Sequence, residues 1–142
     1  MKLENKIAAV KNFWSMAVCG SQFIPHYKDE DDFYRQYRAF RYRNEPHIKE
    51  FVPFAEMRRK EVLEIGCGGG LDGSLFAACG ARYTGIDLTE LAVGASRRCF
   101  EVLDLPGVFQ VQNAEELSFR DASNSSSAGG SHLPHKFFRK GR

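Results

Sequence analysis

The first 60 residues carry apolar side chains at the spacing of an α-helix. Near the N-terminus these side chains recur every three or four positions, at Leu3, Ile7, Val10, Phe13 and Trp14. The spacing places them along one side of a helix. It therefore predicts an amphipathic helix whose apolar stripe packs on a core.

Two further helices are predicted before the pattern changes. One runs from near Asp31 to Tyr42 and is rich in tyrosine, arginine and phenylalanine. The other begins at Asn44 and is expected to turn Ile48, Phe51 and Val52 inward. Residues 1–59 are thus expected to form an N-terminal helical cap.

From residue 60 onward, short β-rich runs alternate with helical stretches. The run EVLEI at 61–65 predicts a first strand that stops at a glycine cluster, 66–70. A helix is expected over 71–79, because Gly80 suits the left-handed residue that ends a helix.

The alternation continues for one more helix and two more strands. A second strand is expected over 81–86, ending at Asp87, and a third over 108–111, ending at Asn113. Thr89 is a suitable N-cap for the helix between these strands. The predicted apolar stripe of that helix consists of Leu91, Ala95, Cys99 and Val102.

The order strand–helix–strand–helix–strand indicates parallel pairing with right-handed crossovers. A parallel arrangement needs crossovers of this length, whereas antiparallel strands are joined by short turns. The predicted fold class is therefore α/β, with three strands legible in the sequence.

Composition narrows the class of protein further. With 142 residues and 43% hydrophobic side chains, the chain is long enough for one domain with a single core. It has no apolar run near the ~20 residues that cross a bilayer, and its N-terminus lacks the apolar core of a secretion signal. The four cysteines form no C-x-x-C pair, so free thiols in the cytoplasm are expected, with no disulfide scaffold and no metal site.

Charge and composition both shift near the C-terminus. The net charge of the whole chain is only +2, which gives no argument for nucleic-acid binding. Residues 122–131 read ASNSSSAGGS, a run that cannot bury an apolar face, and the chain ends with the basic, aromatic run HLPHKFFRKGR. Residues 121–142 are expected to form a flexible tail. A solvated end without a role is favoured over contact with RNA or a membrane surface.

The residues that follow the three strands predict a ligand site. In open α/β sheets ligands bind at the carboxyl ends of the strands, which here are followed by 66–70, Asp87 and Asn113. A glycine turn between a strand and a helix lets a ligand approach backbone N–H groups. Asp87 lies 23 residues after Glu64, about the spacing expected for a carboxylate that binds ribose hydroxyls.

The glycine spacing excludes two common nucleotide motifs. A dinucleotide fingerprint G-x-G-x-x-G needs glycine where this chain has Leu71, and no lysine follows the glycines as a phosphate-binding P-loop requires. Binding of a nicotinamide dinucleotide is therefore disfavoured.

Three segments resemble the class I S-adenosylmethionine-dependent methyltransferases that act on small molecules. They are VLEIGCGGG (62–70), TGIDLTE (84–90) and VQNAEELSF (111–119), in the order that family shows. The resemblance implies a Rossmann-like three-layer sandwich, present here as its N-terminal half (60–120) after the helical cap. It also implies S-adenosylmethionine as cofactor and methyl transfer to a small-molecule acceptor.

The resemblance assigns roles to the glycine turn and the strand before it. Gly66, Gly68 and Gly70 would let the main chain pass beneath the methionine and ribose part of the cofactor. Glu64 would orient this turn or reach the cofactor's amino group through water. Cys67 lies in the same turn, where a small buried filler is favoured over a nucleophile because methyl transfer from a sulfonium needs none.

The resemblance also assigns roles to the residues after the second and third strands. Asp87 would accept hydrogen bonds from the ribose hydroxyls, and Leu88 would pack on the adenine. Asn113 stands where the family more often has aspartate; its carbonyl can still accept a bond from the adenine amino group. Ala114 would supply a backbone N–H to the ring.

Simpler structural roles stay open for these residues. Asp87 is also suited to cap the helix that begins at Thr89, and Asn113 is suited to close a turn. The tyrosines and arginines of the predicted helix near 31–42 suit either a lid over the cofactor or a half-buried helix with extended arginines. The sequence identifies no catalytic residue.

The sequence shows no pattern that predicts the second half of such a sheet. A full family member continues into a fourth strand after Phe119, where this chain turns to serine and glycine. One edge of the first strand is then expected to lack a partner, unless a partner chain completes the sheet. We therefore expect a truncated methyltransferase, with a non-catalytic remnant or adaptor that keeps part of the cofactor platform as the alternative.

Overall fold

In this computed structural model, the structure describes residues 3–14 and 21–116, with the backbone of two further segments, 125–128 and 136–140. Short 3₁₀ helices lie at Ser21–Phe23 and Phe54–Met57. The α-helices are α1 (Leu3–Trp14), α2 (Glu30–Asn44), α3 (His47–Phe51), α4 (Leu71–Ala78) and α5 (Glu90–Val102). The strands are β1 (Glu61–Ile65), β2 (Arg82–Asp87), β3 (Val108–Val111), β4 (Ser125–Ala128) and β5 (Lys136–Lys140).

Some features of the sequence lie outside the described residues. They are the side chains of Leu3 and Trp14, residue Cys19, the end of the third motif (117–119), and the tail residues 121–124, 129–135 and 141–142. The expectations for these positions stay predictions.

The strands form one sheet in the order β3-β2-β1-β5-β4. β1 pairs with β2 in parallel, so that Glu64 lies opposite Gly85, and β2 pairs with β3 in parallel. α4 and α5 contact each other and both pack on β2. The predicted α/β, Rossmann-like arrangement of three parallel strands with flanking helices is confirmed.

The second edge of β1 differs from the prediction. The sequence predicts that this edge is open or is covered by a partner chain, but in the structure β5 pairs with it in antiparallel fashion. Leu63 of β1 lies opposite Phe138, and β4 pairs with β5 on the far side. The run KFFRK contains two aromatic residues, which favour a strand, and pairing satisfies the backbone groups that an open edge would expose.

The N-terminal helices follow the prediction only in part. α2 begins after Asp29, whose carboxylate accepts a hydrogen bond from the Asp32 backbone N–H at 2.9 Å, the geometry of an N-cap. Ile48 and Val52 are buried as predicted, but Phe51 is 78% exposed, because α3 ends there after five residues. The predicted stripe of α1 is also incorrect in part: Val10 and Phe13 are 48% and 67% exposed.

The buried face of α5 is displaced from the predicted one. Thr89 caps the helix as predicted, accepting a hydrogen bond from the Ala92 N–H at 3.2 Å. Leu91 of the predicted stripe is 41% exposed, whereas the buried side is formed by Ala92, Val93, Ser96, Cys99 and Phe100. This orientation packs the Phe100 ring against the aromatic rings of β2 and β3, which explains the difference.

Candidate functional site

The carboxyl ends of β1, β2 and β3 meet at a cavity of about 470 Å³. A volume in the range of about 300–1,000 Å³ is usual for small-molecule sites. Of the nine residues predicted for the site, eight line this cavity: Glu64, Gly66, Cys67, Gly68, Asp87, Leu88, Asn113 and Ala114. The parallel sheet therefore brings together residues that are up to 50 positions apart in the sequence.

The glycine turn after β1 adopts a backbone that side chains disfavour. Gly66, Gly68 and Gly70 have φ angles of 78°, 53° and 80°, in the left-handed region. The N–H groups of Gly66 and Cys67 both donate to the Ile86 carbonyl, at 2.8 and 3.0 Å, which fixes the turn against β2. A Cβ built on Gly68 would meet no atom within 4 Å, so this part of the turn faces open space.

Gly70 differs from the other predicted residues. It does not line the cavity but precedes α4 as its N-cap. A Cβ at this position would lie 3.0 Å from the Ser96 Cα, so the absence of a side chain lets α4 and α5 approach each other. Its role in the structure is therefore to set the turn and the helix packing.

Asp87 joins the glycine turn to the start of α5. Its Oδ2 accepts a hydrogen bond from the Gly68 N–H at 3.1 Å, and its Oδ1 accepts one from the Thr89 N–H at 3.2 Å. Asp87 thus has the simpler structural role as well, because it binds the backbone at the start of α5. The same carboxylate lines the cavity, so capping and ligand contact are compatible at this residue.

Asn113 also combines a turn with a place in the cavity wall. Its Oδ1 accepts a hydrogen bond from the Glu115 N–H at 3.1 Å, and its main-chain carbonyl accepts one from the Glu116 N–H at 3.0 Å. These bonds close the turn after β3. Together with Leu88 and Ala114, it forms the part of the cavity wall that follows β2 and β3.

Glu64 is a carboxyl group enclosed by protein at the cavity wall. Its exposed fraction is 1%, and the Tyr83 hydroxyl donates a hydrogen bond to its Oε2. Burial raises the pKa of Glu64 well above its ordinary value, and the charge of Asp72 raises it further, while the bond from Tyr83 lowers it. Removal from water therefore favours the protonated form, and the hydroxyl favours the ionised one.

Cys67 behaves as a filler. Its side chain is buried, and the Ser96 hydroxyl lies 3.3 Å from the sulfur. Burial raises the pKa of the Cys67 thiol to about 12. The thiol is therefore protonated near neutral pH, which argues against a nucleophile.

One wall of the cavity comes from α2, the helix whose tyrosines and arginines suit a lid over the cofactor, but the sequence did not point to Glu45 or Asp72 as part of it. Tyr37, Arg41 and Glu45 line this wall, and so does Asp72 in the first turn of α4. Arg41 donates to both carboxylate oxygens of Asp72, at 2.9 Å from Nε and 2.6 Å from Nη2. The Tyr42 hydroxyl donates to the same carboxylate at 2.8 Å.

This second wall is held by charge. Arg41 also pairs with Glu45 at 3.1 Å. Burial alone lowers the pKa of Arg41, but the hydrogen bonds and charge of Asp72 outweigh it, and the pKa is raised. One local signal was available in the sequence, namely the i,i+4 spacing of Arg41 and Glu45 on a predicted helix.

Two classes of site are not found in the described part of the chain. Residues 3–14 and 21–116 contain no group of three or more side chains able to hold a metal ion. Nor does any helix among the described residues have the length and apolar character needed to span a membrane.

Part of the chain matches known proteins. Residues 62–135 match the family described as "Methyltransferase domain". The chain is 54% identical over 43 residues to the ubiquinone biosynthesis O-methyltransferase of Aromatoleum aromaticum, covering 30% of this chain and 18% of that protein. It is 36% identical over 75 residues to the enzyme of the same name from Coxiella burnetii, covering 53% and 32%.

A solved structure also matches, described as "Conversion of a Disulfide Bond into a Thioacetal Group during Echinomycin Biosynthesis". It is 30% identical, with a TM-score of 0.41 over 49% of this chain and 28% of that one. Against the two curated relatives above, the chain spans between 18% and 32% of their length.

Proposed function

Because the chain belongs to the methyltransferase domain family, we propose that its cavity binds S-adenosylmethionine and that the protein transfers a methyl group to a small molecule. One observation carries this proposal. The glycine turn 66–70, Asp87 and Asn113 follow three neighbouring parallel strands and surround one cavity of about 470 Å³. Both curated relatives described above are named as O-methyltransferases, so the acceptor atom we propose is a hydroxyl oxygen.

The residues present fit the donor. Gly68 offers a stretch of main chain with open space where a Cβ would be, so the ligand can lie directly on the turn. Asp87 keeps a carboxylate at the cavity wall, as binding of two ribose hydroxyls requires. Glu64 is an acidic group suited to the amino group of the methionine part.

The remaining wall suits a flat, largely apolar ring. Leu88 supplies apolar surface, and Asn113 and Ala114 supply polar atoms beside it. The side-chain carbonyl oxygen of Asn113, Oδ1, accepts one hydrogen bond within its turn, and a carbonyl oxygen has two lone pairs. It therefore keeps capacity to accept a bond from an adenine amino group.

When bound, S-adenosylmethionine supplies a methyl group on a positively charged sulfur, which an acceptor oxygen can attack directly. The protein's own residues bind and orient the donor, and holding two reactants in line lowers the barrier by several kcal/mol, about 7–11 at most. Arg41 and Glu45 lie on the α2 wall of the same cavity, where they are available to an acceptor.

Calorimetric titration tests the proposal. We expect saturable binding of S-adenosylmethionine and no heat from NAD. Asp87→Ala should weaken binding about 100-fold, since two hydrogen bonds to a charged group are lost. Asp31→Ala is the matched control, because Asp31 is 48% exposed and pairs with Arg35 outside the cavity. Unchanged affinity in Asp87→Ala, or no binding to the unmodified chain, would refute the proposal.

A second candidate is a binding module that holds the donor without transferring its methyl group. It is favoured by the lining of the cavity, where the described residues include no histidine. A methyl-transfer assay over a series of phenols and alcohols distinguishes the two. Binding without turnover supports the module, whereas a methylated product supports the enzyme.

We further propose that the protein acts in the cytoplasm. Cys67, Cys79 and Cys99 are free thiols in the described part of the chain, which supports a reducing compartment. Localisation of a tagged chain by microscopy, together with fractionation, tests this.

A further inference from the structure

Tyr83 occupies a slot in the core that two glycines leave open. Its exposed fraction is 3%, and its ring lies against Phe100, with centroids 5.2 Å apart. A Cβ on Gly73 of α4 would overlap the ring, and one on Gly85 of β2 would lie 2.8 Å from the phenol oxygen. The phenol is thus held on several sides, and its hydroxyl has little freedom to move.

The hydroxyl of this fixed ring is connected to the cavity through Glu64. Tyr83 does not line the cavity, but it donates its hydrogen bond to the Oε2 of Glu64, which does. Burial raises the pKa of Tyr83 well above its ordinary value, so the phenol stays protonated and acts as the donor. The bond therefore restrains a carboxyl group that faces the ligand.

Other charged groups also act on Glu64. Asp72 of α4 and Asp87 at the end of β2 repel its negative charge, and Arg41 of α2 attracts it. Arg41 is already hydrogen-bonded to Asp72 and Glu45. This arginine is thus shared with other carboxylates, whereas the Tyr83 hydroxyl donates to Glu64 itself.

We propose that Tyr83 is a positioning residue of the ligand site: its hydroxyl holds the Glu64 carboxyl group in place and favours the ionised form that a cationic ligand group needs. This inference rests on the proposed function, because the cationic group is the amino group of S-adenosylmethionine. It adds a residue that lies outside the three motifs and does not line the cavity. The slot that Gly73 and Gly85 leave for its ring identifies this residue.

The consequence is a defined pH effect of Tyr83→Phe. This change keeps the ring and removes only the donor, so the core stays filled. Loss of the bond raises the pKa of Glu64 further, because that bond is one of the influences that lower it. Binding of the cationic ligand should then weaken about tenfold toward acid pH, and the difference should shrink as the pH rises.

The experiment measures S-adenosylmethionine affinity against pH in four proteins. These are the unmodified chain, Tyr83→Phe, Glu64→Gln and the double variant. We expect Tyr83→Phe to shift the pH profile only where Glu64 is present, since glutamine does not titrate. Tyr34→Phe is the matched control, because the hydroxyl of this buried tyrosine donates to the Ala95 carbonyl at 3.1 Å.

Two results would overturn the inference. One is an unchanged pH profile in Tyr83→Phe; the other is an equal loss of affinity at all pH values, with or without Glu64. A purely structural role of the ring would give the first result, because Tyr83→Phe keeps the ring. It would also make Tyr34→Phe and Tyr83→Phe alike.

A ligand-free measurement separates this inference from the proposed function. In protein labelled with ¹³C at glutamate carboxyl carbons, the Glu64 signal is assigned by its absence in Glu64→Gln. Its titration midpoint should move to higher pH in Tyr83→Phe. If the unmodified chain binds no S-adenosylmethionine, the proposed function fails, while an unmoved midpoint refutes the role of Tyr83 regardless of binding.

Discussion

Helix α2 is joined to the α/β half of the molecule by two arginine–carboxylate pairs that lie in opposite environments. Arg41 of α2 pairs with Asp72 of α4, and the side chains are 17% and 4% exposed. Glu30, at the start of α2, pairs with Arg98 of α5, and these side chains are 52% and 50% exposed. The chemistry of the two pairs is the same.

Their energetic consequences differ because water is present at one and excluded from the other. An exposed pair gains little, since both ions are well solvated when apart and salt screens them. A buried pair has lost its hydration, so each partner depends on the other. Asp72 also accepts the hydrogen bond of Tyr42, which makes the buried pair part of a network at the cavity wall.

The buried pair is expected to give the largest effect when it is broken. Asp72→Ala leaves the Arg41 guanidinium without its main partner, which should lower the free energy of unfolding by about 3–5 kcal/mol. Urea denaturation measures this change. The control is the double variant Arg41→Met with Asp72→Leu, which replaces both charges by apolar groups and should recover most of the loss. A loss below about 1 kcal/mol in Asp72→Ala would place this pair with the exposed one.

The stability contributed by the buried carboxyl group Glu64 and by the exposed carboxylate Glu30 should change with pH in opposite directions. Burial, and after it the charge of Asp72, raises the pKa of Glu64 in the folded chain, so folding favours the binding of a proton there. Stability from this group is present below its ordinary pKa of 4.5 and is lost as pH rises toward the folded value. As the pH rises through that window, the free energy of unfolding of Glu64→Gln should therefore increase relative to that of the unmodified chain, by up to about 1.4 kcal/mol for each pH unit.

The exposed pair gives the reverse dependence. The hydrogen bond from Arg98 lowers the pKa of Glu30, so its contribution is present above the ordinary pKa and is lost as pH falls. Unfolding curves across the acid range, in the unmodified chain and in Glu64→Gln and Glu30→Gln, separate the two. A stability difference for Glu64→Gln that does not change with pH would contradict the buried assignment.

The elements around the glycine turn were predictable because their signals are local. The strand at 61–65 and the helix begun by Thr89 follow from residue type and spacing within a few positions. Parallel strand order then places Asp87 and Asn113 beside the glycine turn. Each step used information within two successive strand–helix–strand units.

The α2 wall was not predictable in the same way. Arg41 and Asp72 are 31 residues apart and lie on different elements, so their pairing depends on how α2 docks. The same holds for the pairing of β5 with β1, which joins distant segments. Local periodicity also misplaced the buried side of α5, since Leu91 and Ala92 fit a helical stripe equally well and only packing of the Phe100 ring distinguishes them.

A smaller effect should come from the hydroxyl that supports the buried pair. Tyr42→Phe removes one hydrogen bond to Asp72, at 2.8 Å, while Arg41 still satisfies the carboxylate. We expect the free energy of unfolding to fall by about 1 kcal/mol. In the Asp72→Ala background the same change should have no effect, because its partner is already absent. Equal losses in both backgrounds would show that the hydroxyl acts elsewhere.

The smallest effect is expected from the exposed pair. Arg98→Ala removes the bonds to Glu30 and to Glu101, all at side chains that are at least half exposed. The melting temperature should change by no more than about 2 °C, because water replaces what the guanidinium supplied. The difference should also shrink as salt is added, whereas that of Asp72→Ala should persist, since a buried pair is screened much less. Thermal melts of both variants at low and high ionic strength measure this, and a salt-insensitive loss in Arg98→Ala would mean that the exposed pair also anchors α2.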